Sequence, residues 1–414
     1  MRRFLNLASF VALSWAAFQI YVVYGIVDFA VAVPIHVMFA IVLSFIVSPL
    51  APGARGAWRV GLRTIDYLLA ICAIGVTLYF IANQERITTR IPGVDALSTG
   101  DYIVGFLTIA LVIEATRRIL GNGLTIVIVL FLVYQFIGTW LRDVPVLTII
   151  AHNGQPSWSF LSEFLDLQIL QNQGVYGIPS VVSYSQVFYF LLFGAILERF
   201  GGGNLFVDLA TLLVGRFRGG MAKVAVIAST LFGAISGSAT ANASVVGAFT
   251  IPAMRRAGMP AEEAAAVEAT ASSGGQIMPP VMGAAAFLIA QFLGKPYRDI
   301  AIAGLIPALV FYASLFFVID ATARKKNYEG LKPHEITASW GKLLRELYLF
   351  IPVVLLVYQM FAGRALSSAT LEAIVATLAL SFAVRVTAAV REHGLRQVPF
   401  VALEILYDAM RAFD

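Results

Sequence analysis

The chain predicts an all-α polytopic membrane protein, and three observations support that fold class. Of its 414 residues, 59% are hydrophobic and only 13% are charged, about half the roughly 25% charge of a water-soluble domain. The mean hydropathy is +0.83, which implies more apolar surface than a soluble core can hide. Apolar runs near the length that a bilayer core demands, about 20 residues, recur along the chain.

Taken in order, the runs expected to span are 6–27, 31–50, 65–83, 101–119, 122–141, 184–199, 298–320, 343–362 and 367–389. The first follows Arg2 and Arg3, and no small-residue cleavage site comes after it. It therefore reads as a retained helix rather than a removed leader. Lysine and arginine asymmetry places the N-terminus in the cytoplasm. On that side lie Arg55, Arg59, Arg63, Arg117, Arg118, Arg216, Arg218, Lys223, Arg255, Arg256 and Arg324 to Lys326, against Arg86, Arg90, Arg142, Lys295, Arg298 and Arg364 outside. The asymmetry holds only if 220–257 enters and leaves on the cytoplasmic side and 261–293 makes one crossing. Between the spans, the external segment 142–183 has Trp158, Leu161, Phe164 and Leu165 at helical spacing. It is expected to lie as a helix in the membrane interface, or else to offer a docking surface to an external partner.

Several function classes drop out. Cys72 is the one cysteine and the four histidines are far apart, so no disulfide and no metal site beyond an alkali ion is expected. The net charge of +5 is accounted for by topology and calls for no nucleic acid. An intramembrane serine protease would need GxSG with a partner histidine, but GAISG (233–237) is one residue too long. There is no HExxH and no intramembrane aspartate pair, and an enzyme is not expected. Glu114, Glu198, Asp320 and Arg385 fall near span ends, where charge is tolerated. Asp208 and Glu372 are read as interface positions, with a functional buried carboxylate as the alternative.

The polar residues concentrate in 220–293. MAKVAVIASTLFGAI is an apolar arm interrupted by SGSAT (236–240), and ANASVVGAFTIPAMRR leads back to a basic end. Two short arms around a polar turn make a re-entrant hairpin, tolerated at membrane depth only where it is buried in protein or lines a cavity. AEEAAAVEATASS (261–273) then starts a helix behind Pro260, GGQIMPP (274–280) breaks it, and VMGAAAFLIAQFLG resumes it. The two glycines are expected to free the backbone, and the two prolines to forbid the hydrogen-bond ladder.

Half-helix C-termini present carbonyls to a cation, and N-termini suit an anion. The carbonyl ends are expected near Ser236 and Gly274, and the positive ends near Thr240 and Pro280. Ser236, Ser238, Thr240, Ser272, Ser273, Asn242 and Gln276 supply neutral oxygens. Small residues that only let helices pack closely would explain the glycine and alanine content but not two breaks within about 40 residues.

GAISGSATANASVVGAFTIPAMRRAGM and EAAAVEATASSGGQIMPPVMGAAAFLIAQFLG together resemble the large-subunit signature of tripartite ATP-independent periplasmic (TRAP) transporters. The resemblance is to the form with small and large membrane subunits fused, and it is close over about 160–330. It implies an elevator-type secondary transporter of the bacterial inner membrane, a symporter coupled to Na⁺ and using no other cofactor. Its implied cargo is an organic anion, usually a carboxylate, delivered by a periplasmic binding protein. By position, the resemblance implies Na⁺ loops at Ser236, Gly237, Ser238 and Thr240 and at Gly274, Gly275, Gln276 and Pro279. It assigns Ser238, Asn242, Ser244 and Ser273 to the substrate.

The implied domains are scaffold helices over 1–141, an external loop over 142–183, the first half of the transport subunit over 184–389 and an amphipathic connector over 390–414. The family has two inverted repeats, whereas this chain shows one hairpin and one broken helix, so it is expected to be an N-terminal portion of a longer protein. A symporter of related architecture that needs no binding protein, and a membrane subunit with an assembly role, are the rival readings.

Overall fold

The computed structural model describes residues 7–25, 27–51, 57–138, 158–171, 173–336, 338–393 and 398–411. Arg2, Arg3, Arg55, Arg142 and the start of the 142–183 segment lie outside the described residues. Every regular element among those described is helical. Among the described residues, seven helices are long and apolar enough to cross a membrane: Leu7–Tyr24, Phe29–Val47, Val60–Ala82, Ile178–Arg199, Tyr297–Lys326, Trp340–Phe361 and Leu366–Arg391. Two compact units divide the chain, Met1–Tyr184 and Ser185–Asp414.

The first unit holds α1 (Leu7–Tyr24), α2 (Phe29–Val47), α3 (Ala57–Ala82), α4 (Gln84–Thr89), α5 (Thr99–Leu120), α6 (Asn122–Ile137), α7 (Trp158–Leu165) and α8 (Ile178–Val182). Its core packs Val33, Phe45, Ala73, Phe80, Val104 and Leu111 of α2, α3 and α5. The run expected over 101–119 has Asp101 at its start and Glu114, Arg117 and Arg118 at its end, and α5 is not one of those seven helices. The charges sit in two layers. Asp101 accepts hydrogen bonds from Tyr79 (2.9 Å) and Arg86, and Arg118 pairs with Asp66 at 2.6 Å. Thirteen residues separate the layers on α3 (Asp66 to Tyr79) and on α5 (Asp101 to Glu114), about 20 Å at 1.5 Å per residue. Residues 102–113 of α5 carry no charge, so α5 still presents an apolar middle section.

Phe164 and Leu165 of α7 are buried, packed inside the unit. Gly105 of α5 leaves the room: a Cβ there would lie 3.1 Å from Leu165. Asp166, directly after α7, pairs with Arg90, and both side chains are almost wholly buried.

The second unit holds α9 (Phe188–Arg199), α10 (Gly202–Val214), α11 (Gly220–Ser236), α12 (Ala239–Arg256), α13 (Ala261–Gly274), α14 (Ala284–Leu293), α15 (Tyr297–Lys326), α16 (Trp340–Glu346), α17 (Phe350–Phe361), α18 (Leu366–His393) and α19 (Val398–Arg411). At its centre is α11, packed against α9, α10, α12, α13 and α15. Apolar or small residues all round explain that position, because a helix without a polar face has no side to give to water. Lys223 on α11 is buried, pairs with Asp320 of α15 and lies 4.9 Å from the Phe316 ring centroid. Asp208 pairs with Lys342 at 2.7 Å. Glu372 accepts from Gln359 at 2.6 Å and Arg364 at 3.1 Å. Both carboxylates thus have partners. Ile306, Val310 and Phe317 of α15 are exposed, a surface that suits hydrocarbon and not water.

Candidate functional site at the hairpin and the broken helix

The hairpin forms as its sequence suggests. The first arm, α11, ends at Ser236, and the second, α12, starts at Ala239. The 17 residues of α11 fall short of the about 20 needed to span. Gly237 closes the first arm in the left-handed region at φ +62°, donating its N–H to the Gly233 carbonyl at 2.9 Å. Glycine alone adopts that region without cost. Ser238 then caps α12, its hydroxyl accepting the Ala241 N–H at 3.2 Å. Of the last carbonyls of α11, Gly233 is taken by Gly237 and Ala234 by the Val281 N–H at 2.9 Å. Among the described residues no backbone donor reaches those of Ile235 and Ser236.

The second break is longer than its sequence suggests, and its cause is different. Gly274 and Gly275 keep right-handed helical backbone, so they are not where the chain leaves the helix. A tight turn over Gly275–Ile277 follows α13, Met278 is extended, and Met282 takes the positive φ of +60°. The Gly283 N–H donates back to the Gln276 carbonyl at 2.7 Å, and α14 resumes at Ala284. The positive end expected at Pro280 therefore lies four residues later. Gly304 of α15 accommodates Met282: a Cβ there would sit 2.7 Å from the Met282 methyl. Tyr297 donates its hydroxyl to the Val281 carbonyl, with that of Pro280 3.2 Å away, and Tyr312 donates to that of Ala271 at 3.0 Å.

The two glycines serve close approach instead. A Cβ on Gly233 would lie 2.5 Å from the Gly275 Cα, and one on Gly275 would lie 2.7 Å from the Gly233 Cα. A Cβ on Gly237 would lie 2.0 Å from the Met282 carbonyl oxygen. Both interrupted helices thus cross backbone to backbone, and the loops 236–240 and 274–283 form one locus. Asn242 sits in the crossing. It is fully buried, its Nδ2 donates to the Ser229 carbonyl at 2.9 Å, and its Oδ1 has no partner among the described residues.

The other residues singled out by sequence fall as follows. Ser236 is buried, Gly237, Ser238 and Pro279 are half-buried, and Gly274 and Gly275 are buried. Thr240, Ser244, Ser273 and Gln276 are exposed. The Ser244 hydroxyl donates to the Thr240 carbonyl at 2.9 Å, and that of Ser273 to the Ala269 carbonyl at 2.7 Å. Ser272, expected as a neutral oxygen of the site, is turned away from it and donates to Glu268 at 3.0 Å.

Glu268 itself is missed by the sequence reading. It is buried, with hydroxyls of three helices around its carboxyl: Ser229 of α11, Thr250 of α12 and Ser272 of α13. The available signal was Ala264, Glu268 and Ser272 at i, i+4 and i+8, one face of a helix. On α12 the matching signal is Asn242, Val246, Thr250 and Met254, all buried.

The family model described as "Tripartite ATP-independent periplasmic transporter, DctM component" matches residues 107–410. The C4-dicarboxylate TRAP transporter large permease protein DctM of Pseudomonas aeruginosa is 34% identical over 171 residues, covering 39% of each chain. The 2,3-diketo-L-gulonate TRAP transporter large permease protein YiaN of Escherichia coli is 28% identical over 198 residues, covering 48% of this chain and 46% of its own. The sialic acid TRAP transporter permease protein SiaT of Haemophilus influenzae is 28% identical over 202 residues, covering 49% of this chain and 32% of its own. The chain thus spans less than half the length of these curated relatives.

Proposed function

Because the chain belongs to the tripartite ATP-independent periplasmic transporter family, DctM component, we propose that it forms part of a Na⁺-coupled permease importing a small carboxylate across a bacterial inner membrane. The observation that carries this reading is the shared locus of the two interrupted helices. There the Ile235 and Ser236 carbonyls and the buried, unpartnered Asn242 Oδ1 supply neutral oxygens. Half-helix C-terminal carbonyls of this kind suit Na⁺. Ser236, Gly237, Ser238 and Thr240, with Gly274, Gly275, Gln276 and Pro279, make up the two loops of the proposed ion site.

The substrate class rests on the relatives. Their names give a C4-dicarboxylate, 2,3-diketo-L-gulonate and sialic acid, and all three carry a carboxylate. The N-termini of α12 at Ser238 and of α14 at Gly283 border the same locus, and helix N-termini favour anions. Ser238, Asn242, Ser244 and Ser273 remain the proposed substrate contacts, with the cytoplasmic N-terminus, the elevator motion and delivery by a periplasmic binding protein part of the same proposal.

Thermal stability of the purified protein, titrated with NaCl against choline chloride at constant ionic strength, tests the ion. A ligand of the folded state alone stabilises by RT ln(1 + [L]/Kd), about 2.7 kcal/mol at a hundredfold excess. A saturable, Na⁺-specific rise is expected, and a flat response overturns Na⁺ binding by this chain. Thr240→Val removes a hydroxyl at the tip and is expected to weaken the apparent Na⁺ affinity roughly tenfold, about 1.4 kcal/mol. An unchanged midpoint would exclude Thr240 as a ligand. Uptake by the whole transporter is expected to require a secreted binding protein, and uptake without one would favour a binding-protein-independent symporter.

A further inference from the structure

We propose that Glu268 holds its proton in this arrangement and forms a proton-binding site that joins both arms of the hairpin to the first half of the broken helix. The hydrogen count supports it. Thr250 Oγ1 lies 3.0 Å from the Val246 carbonyl and within hydrogen-bond distance of Glu268 Oε2 as well. A threonine hydroxyl has one proton and two lone pairs, so it cannot donate to both acceptors at full strength. If Oε2 carries a proton, every contact is satisfied. Oε2–H donates to Thr250, Thr250 donates to Val246, and the carbonyl oxygen Oε1 accepts from Ser229 (2.9 Å) and Ser272 (3.0 Å). A neutral carboxylic acid offers this set: one donor on one oxygen and two lone pairs on the other.

Charge points the same way. Among the described residues Glu268 has no ion-pair partner, and an ionised carboxylate buried without one is costly. The charged and titratable groups on the packed helices are committed elsewhere or lie along the helices at a distance. On α11, Lys223 is six residues from Ser229, about 9 Å along the axis, and is paired with Asp320 of α15. On α12, Arg255 and Arg256 are exposed at the helix end. On α13, Glu262 is exposed and Glu263 pairs with Lys326. On α15, Arg324 pairs with Asp320, and Tyr312 donates to the Ala271 carbonyl. The carboxyl that carries the proton is hydrogen-bonded by three helices at once, so proton binding is linked to their packing, whether or not Na⁺ occupies the loops.

Infrared spectroscopy of the purified protein at neutral pH tests this assignment in the carboxylic-acid C=O stretching region. A band is expected in the wild-type protein and lost in Glu268→Gln, whose amide reproduces one donor and one acceptor. Identical spectra for the two proteins would mean that Glu268 is ionised and would overturn the proposal. Thr250→Val tests it without altering the carboxyl. Removal of the acceptor is expected to move the band to higher frequency while keeping its intensity. An unmoved band would overturn the placement of the proton towards Thr250.

Discussion

Gly275→Ala is expected to lower the unfolding free energy by about 3 kcal/mol, the upper end of what overpacking costs. The new Cβ would fall 2.7 Å from the Gly233 Cα and 3.2 Å from Asn242 Nδ2. A flexible side chain could swing aside from such a contact, but here the nearest neighbour is backbone on the central helix α11. Gly233→Ala is expected to behave in the same way, its Cβ 2.5 Å from the Gly275 Cα. Because the two methyls would force the same separation, the double variant is expected to cost less than the sum of the singles. Gly75→Ala on α3, where a Cβ meets nothing within 4 Å, serves as the control and should be neutral or slightly stabilising, as alanine is in a helix interior. Thermal unfolding of the purified proteins checks all four. Wild-type stability in Gly275→Ala would show that the crossing tolerates separation, and would remove the contact that brings the two loops into one locus.

Gly237→Ala combines two penalties at the hairpin tip. Alanine in the left-handed region costs roughly 1–2 kcal/mol, and its Cβ would lie 2.0 Å from the Met282 carbonyl oxygen, adding an overpacking cost of about 1–3 kcal/mol. The tip must therefore move away from the second break. If the ion site draws on both loops, the Na⁺-dependent stabilisation is expected to vanish even where enough folded protein survives to measure. A Gly237→Ala protein with a wild-type NaCl titration would place Na⁺ binding outside this locus.

Much of the site was legible because membrane-depth polarity is rare and conspicuous. SGSAT between two apolar arms announced a hairpin, and the arms end and begin within one residue of the expected positions. The break in the second helix was legible as a break but not in its form. GGQIMPP suggests that glycines unwind the helix, whereas Gly274 and Gly275 are helical and the left-handed residue is Met282. A sequence shows that glycine lacks a Cβ but not whether that is used for φ freedom or for contact. Glu268 stayed hidden for a related reason. Within AEEAAAVEATASS it is one of three glutamates, and only the approach of Ser229 and Thr250 from two other helices distinguishes it.

What the sequence determined by itself was the class of molecule: apolar runs at bilayer length, an all-helical backbone because lipid leaves backbone groups no other partner, and two polar interruptions in neighbouring helices. These follow from local composition and spacing. Only the tertiary structure decided that the interruptions coincide, that α7 buries Phe164 and Leu165 within its own unit, and that Glu268 joins three helices. Each of these depends on distances between residues remote in the chain, set by where missing side chains let two backbones meet.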